Sequence, residues 1–253
     1  MIRSKKLSKI SGIKHAFFSK LGGKSKGIFK SLNCGLGSAD KKKNIKDNLK
    51  IILKKIKTPT KKIFLLNQIH SNKFYYINKN SVSKKSNYSG DALITDRKKT
   101  PLGVLTADCA PILIYDSNKN MIAAVHAGWR GAYKDIVKNV VKFMYKKGCT
   151  PETIIAVIGP CITMKSYEVK EDFIKKFLKK NRTNKAFFKK FKNKTYFSLN
   201  KYIYSQLKSL NIKNIEIINK DTFNVKNNFF SARRSISRNE SDYGRNISII
   251  MIN

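Results

Sequence analysis

Long apolar runs are missing from this 253-residue chain. The longest, at 247–252, is strand-sized, far short of the roughly 20 residues that span a bilayer as a helix, so no membrane span is expected. The first residues, MIRSKKLSKISGIKHAFF, carry positive charge but lack an apolar stretch behind it and a small-residue cleavage pattern. A signal peptide is therefore not expected. Cysteine is scarce too. Cys34, Cys109, Cys149 and Cys161 have neither the density nor the spacing of a disulfide framework, and without an export signal they read as reduced thiols in the cytoplasm. No internal repeat and no Pro- or Ser-rich linker divides the chain, so residues 1–253 read as one domain.

Acidic side chains are also few: 15 against 54 basic ones, for a formal charge of +39. Such an excess points at first to a nucleic-acid or anionic-surface partner. Its distribution points away from one. Lysine is spread along the whole chain among Asn and Ile, and only eight of the basic residues are Arg, the type that grips phosphates and reads bases bidentately. Two stretches depart from this background. Between Asp91 and Asp135 five acids face six bases, so the segment is almost neutral. Five of the eight arginines (Arg130, Arg233, Arg234, Arg238, Arg245) fall in two short blocks. There a planar, permanently charged fork is needed, either for a ligand or for a buried ion pair.

With 41% hydrophobic residues the chain can build a substantial core. Short apolar segments at 14–20, 63–66, 74–77, 92–95, 102–106, 111–115, 121–126, 153–158, 215–218, 228–232 and 247–252 predict strands. Helical spacing predicts helices over 44–56, 132–147, 171–178 and 198–210. Ile136, Val137, Val140, Val141 and Met144 form the buried stripe of the second, Gly148 stands at its C-terminal end, and Ser198 at the N-cap of the last. Strands and helices intermix, with hairpin-like pairs in the middle. The expected fold is α/β, a single domain with a mixed β-sheet core flanked by helices.

Histidine occurs only three times, and two of the three stand in unusual surroundings. His126 ends an apolar strand in AAVHAGWRGA, where Gly128 permits close backbone approach. His70 ends IFLLNQIH in the same way, and Cys109 lies between two apolar strands in LTADCAPILI. Three such ligands at strand ends can converge on one ion, leaving the fourth position of a tetrahedral zinc site open, as catalytic sites require. Their spacings of 39 and 17 residues match no compact ligand motif. Each residue also has an ordinary reading, as a hydrogen-bonded strand-end histidine or a core cysteine. A third reading makes Cys109 a nucleophile activated by His126. His15 opens a strand and reads as structural.

The segments HAFFSKLGGKSKGIFKSLNCGLGSAD, NQIHS, GDALIT, TADCAPILI, AVHAGWRGA, IGPCI and SARRS followed by YGR occur in this order. Together they strongly resemble the YfiH-like family, also known as the laccase-domain or peptidoglycan-editing-factor family. Its members act as purine nucleoside phosphorylases with adenosine deaminase activity. The resemblance extends from His15 to Arg245. It implies an α/β fold with a mixed sheet, and a zinc centre bound by His70, Cys109 and His126. It also implies a purine nucleoside and phosphate as substrates, cleaved as adenosine, inosine, guanosine or methylthioadenosine. Asn33, Gln68, Arg130, Arg233, Arg234 and Arg245 fall on motif positions and become pocket candidates. Lys20 stands where the family usually has Arg, which keeps the charge but loses the bidentate fork. Cys161, in IGPCI, reads as positional.

On this reading Cys109 and His126 belong to the catalytic centre, with the adjacent Asp108 as proton carrier, orienting group or turn residue. Two rival chemistries use the same residues. One is a Cys–His hydrolase editing cell-wall precursors. The other is copper-dependent polyphenol oxidation, for which one Cys and two His lack the ligands of a multicopper cluster; copper is thus the lesser alternative to zinc. These motifs assign no oligomeric state.

Overall fold

The computed structural model describes residues 1–78 and 88–253. Its strands are short because the apolar runs are short, and they gather into three sheets. Ile13–Phe17 (β1) pairs antiparallel with the last strand, Asn246–Ile252 (β12). That strand pairs in turn with Leu102–Thr106.

The largest sheet has six strands. Phe74–Ile77 (β2) lies parallel to Ala92–Thr95 (β3) at one edge. With Leu102–Thr106 counted as β4, the centre is the antiparallel pair Ala110–Asp116 (β5) and Met121–Ala127 (β6). Strand β6 pairs with β3, and β5 with Ile154–Ile158 (β7), both antiparallel. The far edge, Asn214–Ile217 (β11), runs parallel to β7. The sheet is thus mixed, and helices flank it.

Period-two alternation assigns each strand residue to a layer. Ile112 and Ile114 of β5, with Ala123 and Val125 of β6, face Ile136–Lys146 (α3, after the single turn Trp129–Tyr133, α2) and Leu199–Lys208 (α5). Their neighbours Leu113, Tyr115, Ile122 and Ala124 face the other way, onto Phe17, Leu102, Val104 and Ile250 of the smaller sheet. That sheet's outer face, through Ala16, Ile247 and Ile249, takes Ile52 and Leu53 of Lys42–Lys55 (α1). Helices, sheet, sheet and helix stack in that order. Both faces of β5 and β6 are covered, so all seven residues of each are buried.

Four details differ from the expectations of the sequence. The helix expected over 132–147 is interrupted at Asp135, which adopts a left-handed conformation (φ 64°). Gln206 Nε2 donates to Ala132 O, the carbonyl a continuous helix would have paired with the N–H of Ile136, and also to Asp135 Oδ1. Residues 63–66 make only one bridge, Phe64 to Leu102; the side-chain amide of Gln68 then exchanges two hydrogen bonds with Leu105 and stands in for further ladder. Residues 228–232 form no strand, because the Asn246 carboxamide clamps both backbone groups of Phe230. A small sheet of Glu168–Val169 (β8), Phe188–Phe191 (β9) and Lys194–Phe197 (β10) has no counterpart among the expected strands, being short and lysine-rich. Gly148 ends α3 with φ 88°, as its position implies. Among the described residues no helix is long and apolar enough to cross a membrane.

Glu171–Lys180 (α4) is anchored by Phe177, which is fully buried and stacks on Phe173 with ring centroids 4.6 Å apart. Phe177→Ala is expected to lower unfolding stability by about 3–5 kcal/mol in urea titration. A change under about 1 kcal/mol would show that this cluster does not belong to the cooperative core.

Candidate metal centre

One end of the six-stranded sheet gathers the chemistry. Residue 110 of β5 pairs with 127 of β6, and 92 of β3 with 125. The first residues of β3 and β5 and the last of β6 therefore lie side by side. Cys109 immediately precedes β5, His126 is the penultimate residue of β6, and Asp91 immediately precedes β3. His70 comes from the loop leading into β2, in a left-handed conformation (φ 55°).

The structure brings His70, Cys109 and His126 together, with one donor atom from each lying within 4.8 Å of the others. Cys109 Sγ is 3.7 Å from His70 Nε2. Tetrahedral zinc with ordinary Zn–S and Zn–N bonds separates such atoms by about 3.6 Å, so the donor set fits that ion. His126 is buried, Cys109 half-buried and His70 exposed, which leaves the open side of the cluster toward solvent. Gly128 forms its floor. A Cβ there would lie 2.7 Å from Cys109 Sγ and 2.9 Å from His70 Cδ2.

Asp91, absent from the sequence-based candidates, holds the arrangement. His126 Nδ1 donates to its Oδ1 at 2.8 Å, which fixes the ring and leaves Nε2 for the cluster. The backbone N–H of His70 donates to the same oxygen, and Ser71 donates to Oδ2 through both N–H and hydroxyl. Burial alone would raise the Asp91 carboxyl, but the bonds from His126 and Ser71 outweigh it and hold it below its ordinary value. Cys109 and His126 shift each other in opposite directions. Burial would raise Cys109, yet His126 and His70 pull its thiol down to about 6. Burial would lower His126, yet Cys109 and Asp91 raise it to about 9. A thiolate is the form a metal takes, and also the form a nucleophile needs.

Asp108 points away from the cluster into a buried knot. Thr222 Oγ1 donates to its Oδ1 at 2.6 Å, and Ser231 Oγ and the Arg233 N–H donate to Oδ2. Burial raises its carboxyl. The other candidates divide into two groups. Asn33, Gln68 and Arg234 are engaged with backbone: Asn33 Oδ1 accepts from Gly35 and Arg245, Gln68 clamps Leu105, and Arg234 donates to the carbonyls of Thr222, Phe223 and Phe229. The remaining cations keep free donors. Arg233 gives one bond to Glu168 O and lies 5.4 Å over the Tyr167 ring. Arg130 is exposed over Trp129, and Arg245 lies over Tyr243, 3.6 Å from Asp242. Lys20 is half-buried, and burial together with Arg234 and Arg238 lowers its pKa. A cavity of about 600 Å³ adjoins Ala232–Ser237 (α6), between Arg238 and Asp221; no residue of the metal cluster lines it.

A family model described as multi-copper polyphenol oxidoreductase laccase matches residues 14–253. This chain belongs to that family, the YfiH-like proteins. A protein of Haemophilus influenzae named purine nucleoside phosphorylase is 33% identical over 240 residues, 93% of each chain. Another so named, from Rickettsia conorii, is 36% identical over 187 residues, 73% of this chain and 75% of that one. Among solved structures, the Bacillus licheniformis hypothetical protein YfiH has a TM-score of 0.86 at 27% identity, covering 95% of this chain and 93% of its own. A Neisseria meningitidis protein has a TM-score of 0.85 at 26% identity, covering 96% of both.

Within this YfiH-like chain Gly128 gives the cleanest probe of the cluster. Its backbone (φ −72°, ψ 171°) suits any residue, so a methyl group there acts on the cluster alone. Gly128→Ala is expected to keep its thermal unfolding midpoint while zinc affinity falls by at least about tenfold in a chelator competition. Unchanged affinity would show that Cys109 and His70 do not share a metal.

Proposed function

We propose that this chain is a zinc-dependent purine nucleoside phosphorylase, with zinc held by His70, Cys109 and His126. The observation that carries the reading is the convergence of these three donors on one open-sided point. Relatives that share most of the chain's length and are named purine nucleoside phosphorylase support it. When bound, zinc supplies a Lewis acid that polarises an oxygen at the site.

In phosphorolysis a phosphate oxygen attacks C1′ of the ribose, the bond from C1′ to the purine nitrogen breaks, and the base leaves with that electron pair and takes up a proton. Arg233, with donors to spare, and the cations Arg130, Lys20 and Arg245 serve to hold the phosphate. Arg234, Asn33, Gln68 and Asp108, whose polar atoms are already engaged, position the loops that carry them. Adenosine deamination, in which water adds at C6 and ammonia leaves, is assigned to the same centre as a second activity. Adenosine, inosine, guanosine and methylthioadenosine are the substrate set, the cytoplasm is the location, and residues 1–253 act as one domain.

A second reading rests on Cys109 and His126 having donor atoms within 4.8 Å of each other, an arrangement that also suits a Cys–His hydrolase acting on cell-wall precursors. Copper-dependent polyphenol oxidation ranks below both, because among the described residues no other cluster of three ligands exists.

Metal-analysed protein should be incubated with each nucleoside and phosphate, with and without chelator, and the products separated. Free base and pentose 1-phosphate are expected only while zinc is retained, and Cys109→Ala should abolish both zinc content and turnover. No base released from any purine nucleoside by fully zinc-loaded protein overturns the phosphorylase. Turnover that resists chelation but not thiol alkylation favours the hydrolase.

A further inference from the structure

The structure sorts the cysteines by exposure. Cys34, Cys149 and Cys161 are buried, whereas Cys109 is half-buried at the open cluster. Cys161, in the loop after β7, takes no part in that cluster. Its backbone nevertheless lies against that of Cys109. Strands β5 and β7 run antiparallel, with Ile112 opposite Ile158. The pairing goes on past the strand ends: the Gly159 N–H donates to Pro111 O at 2.8 Å, and the Ile162 N–H to Asp108 O at 3.0 Å. Continued in this register, Cys109 falls opposite Cys161.

The bond from Ile162 to Asp108 joins the peptide group before Cys109 to the one after Cys161. In an antiparallel ladder such a bond flanks a facing pair whose own backbone groups point away, with Cα atoms about 4.5 Å apart. A disulfide requires about 4.4–6.8 Å. Thr222 ties the two loops a second time. Its N–H donates to Cys161 O at 3.2 Å, and its Oγ1 to Asp108 Oδ1 at 2.6 Å. Burial, then the charges of Asp221, Asp108 and Cys109, raises the Cys161 thiol, so the two sulfurs act on each other. The other cysteines lie elsewhere. Cys34 packs in the core beneath α1, and Cys149 precedes β7, at the opposite end of that strand from Cys161.

We propose that Cys109 and Cys161 form a reversible redox site, in which Cys161 closes a disulfide onto Cys109 when a peroxide meets the metal-free centre. The Cys109 sulfur attacks one peroxide oxygen, the O–O bond breaks, and a sulfenic acid forms as water leaves with the thiol proton. The Cys161 sulfur then attacks the Cys109 sulfur. An S–S bond forms, the S–O bond breaks, and hydroxide leaves with the electron pair and takes the Cys161 proton. Two thiols and one hydrogen peroxide thus become one disulfide and two waters. The disulfide withdraws one of the three donors of the cluster, whichever reaction the centre catalyses.

Chelator-treated protein should be exposed to hydrogen peroxide, its free thiols alkylated, and the chain cut with trypsin and a glutamate-specific protease, which separates Cys149 from Cys161 at Glu152. A peptide pair crosslinked through Cys109 and Cys161 is expected, and dithiothreitol should release it. Cys161→Ser leaves the Cys109 sulfenic acid without a partner, so it goes on to the sulfinic acid that dithiothreitol does not reverse. The fraction of Cys109 thiol recovered is expected to fall at least about tenfold in that variant, and to stay unchanged in Cys149→Ser. The peptide map of the unsubstituted chain decides the matter even where Cys161→Ser does not fold. Absence of the crosslinked pair, a crosslink from Cys109 to Cys34 or Cys149 in its place, or full recovery in folded Cys161→Ser overturns the proposal.

Discussion

The carboxylate of Asp91 is the point through which the metal cluster is assembled. It is completely buried, and it accepts from His126 Nδ1, the His70 backbone and both donors of Ser71. A buried charge of this kind is unfavourable unless every lone pair is met, and here four donors meet them. The same bonds perform three tasks. They orient the His126 ring, hold the left-handed turn that projects His70, and join the start of β3 to the end of β6, where the His126 N–H donates to Asp91 O at 2.7 Å. Removing the charge would release two ligands at once, because the arrangement of one depends on the other.

Asp108 has a comparable role beside Cys109. Its oxygens gather Thr222, Ser231 and the Arg233 N–H, binding distant segments to the loop that carries the thiol. Both acids fall in the near-neutral stretch of an otherwise very basic chain. Acids are scarce in this protein, and these two have their oxygens fully engaged in holding loops. The guanidinium groups of Arg233 and Arg130 and the ammonium of Lys20 belong to no ion pair among the described residues.

Much of this was legible in the sequence. Cys109 and His126 stand at the ends of apolar strands that form as expected, whereas His70 follows a segment that makes almost no sheet and is carried by the loop before β2. Layer assignment followed period-two alternation, and α3 followed its apolar stripe. Asp91 was not legible. In GDALIT it looks like an ordinary turn acid, and its role appears only when β3 is placed beside β6. Gln68 and Asn246 were hidden for another reason: their carboxamides replace backbone ladder, so residues 63–66 and 228–232 look like strands yet form almost no sheet. The break at Asp135 depends on Gln206, a residue 71 positions away that local pattern cannot include.

On the proposed function a single zinc ion is shared by two imidazoles and one thiolate. X-ray absorption at the zinc edge on the purified protein tests it most directly. The expected shell is one sulfur at about 2.3 Å and two imidazole nitrogens at about 2.0–2.1 Å, with a light atom completing it. A shell of oxygen and nitrogen without sulfur, or one with two or more sulfurs, would contradict it.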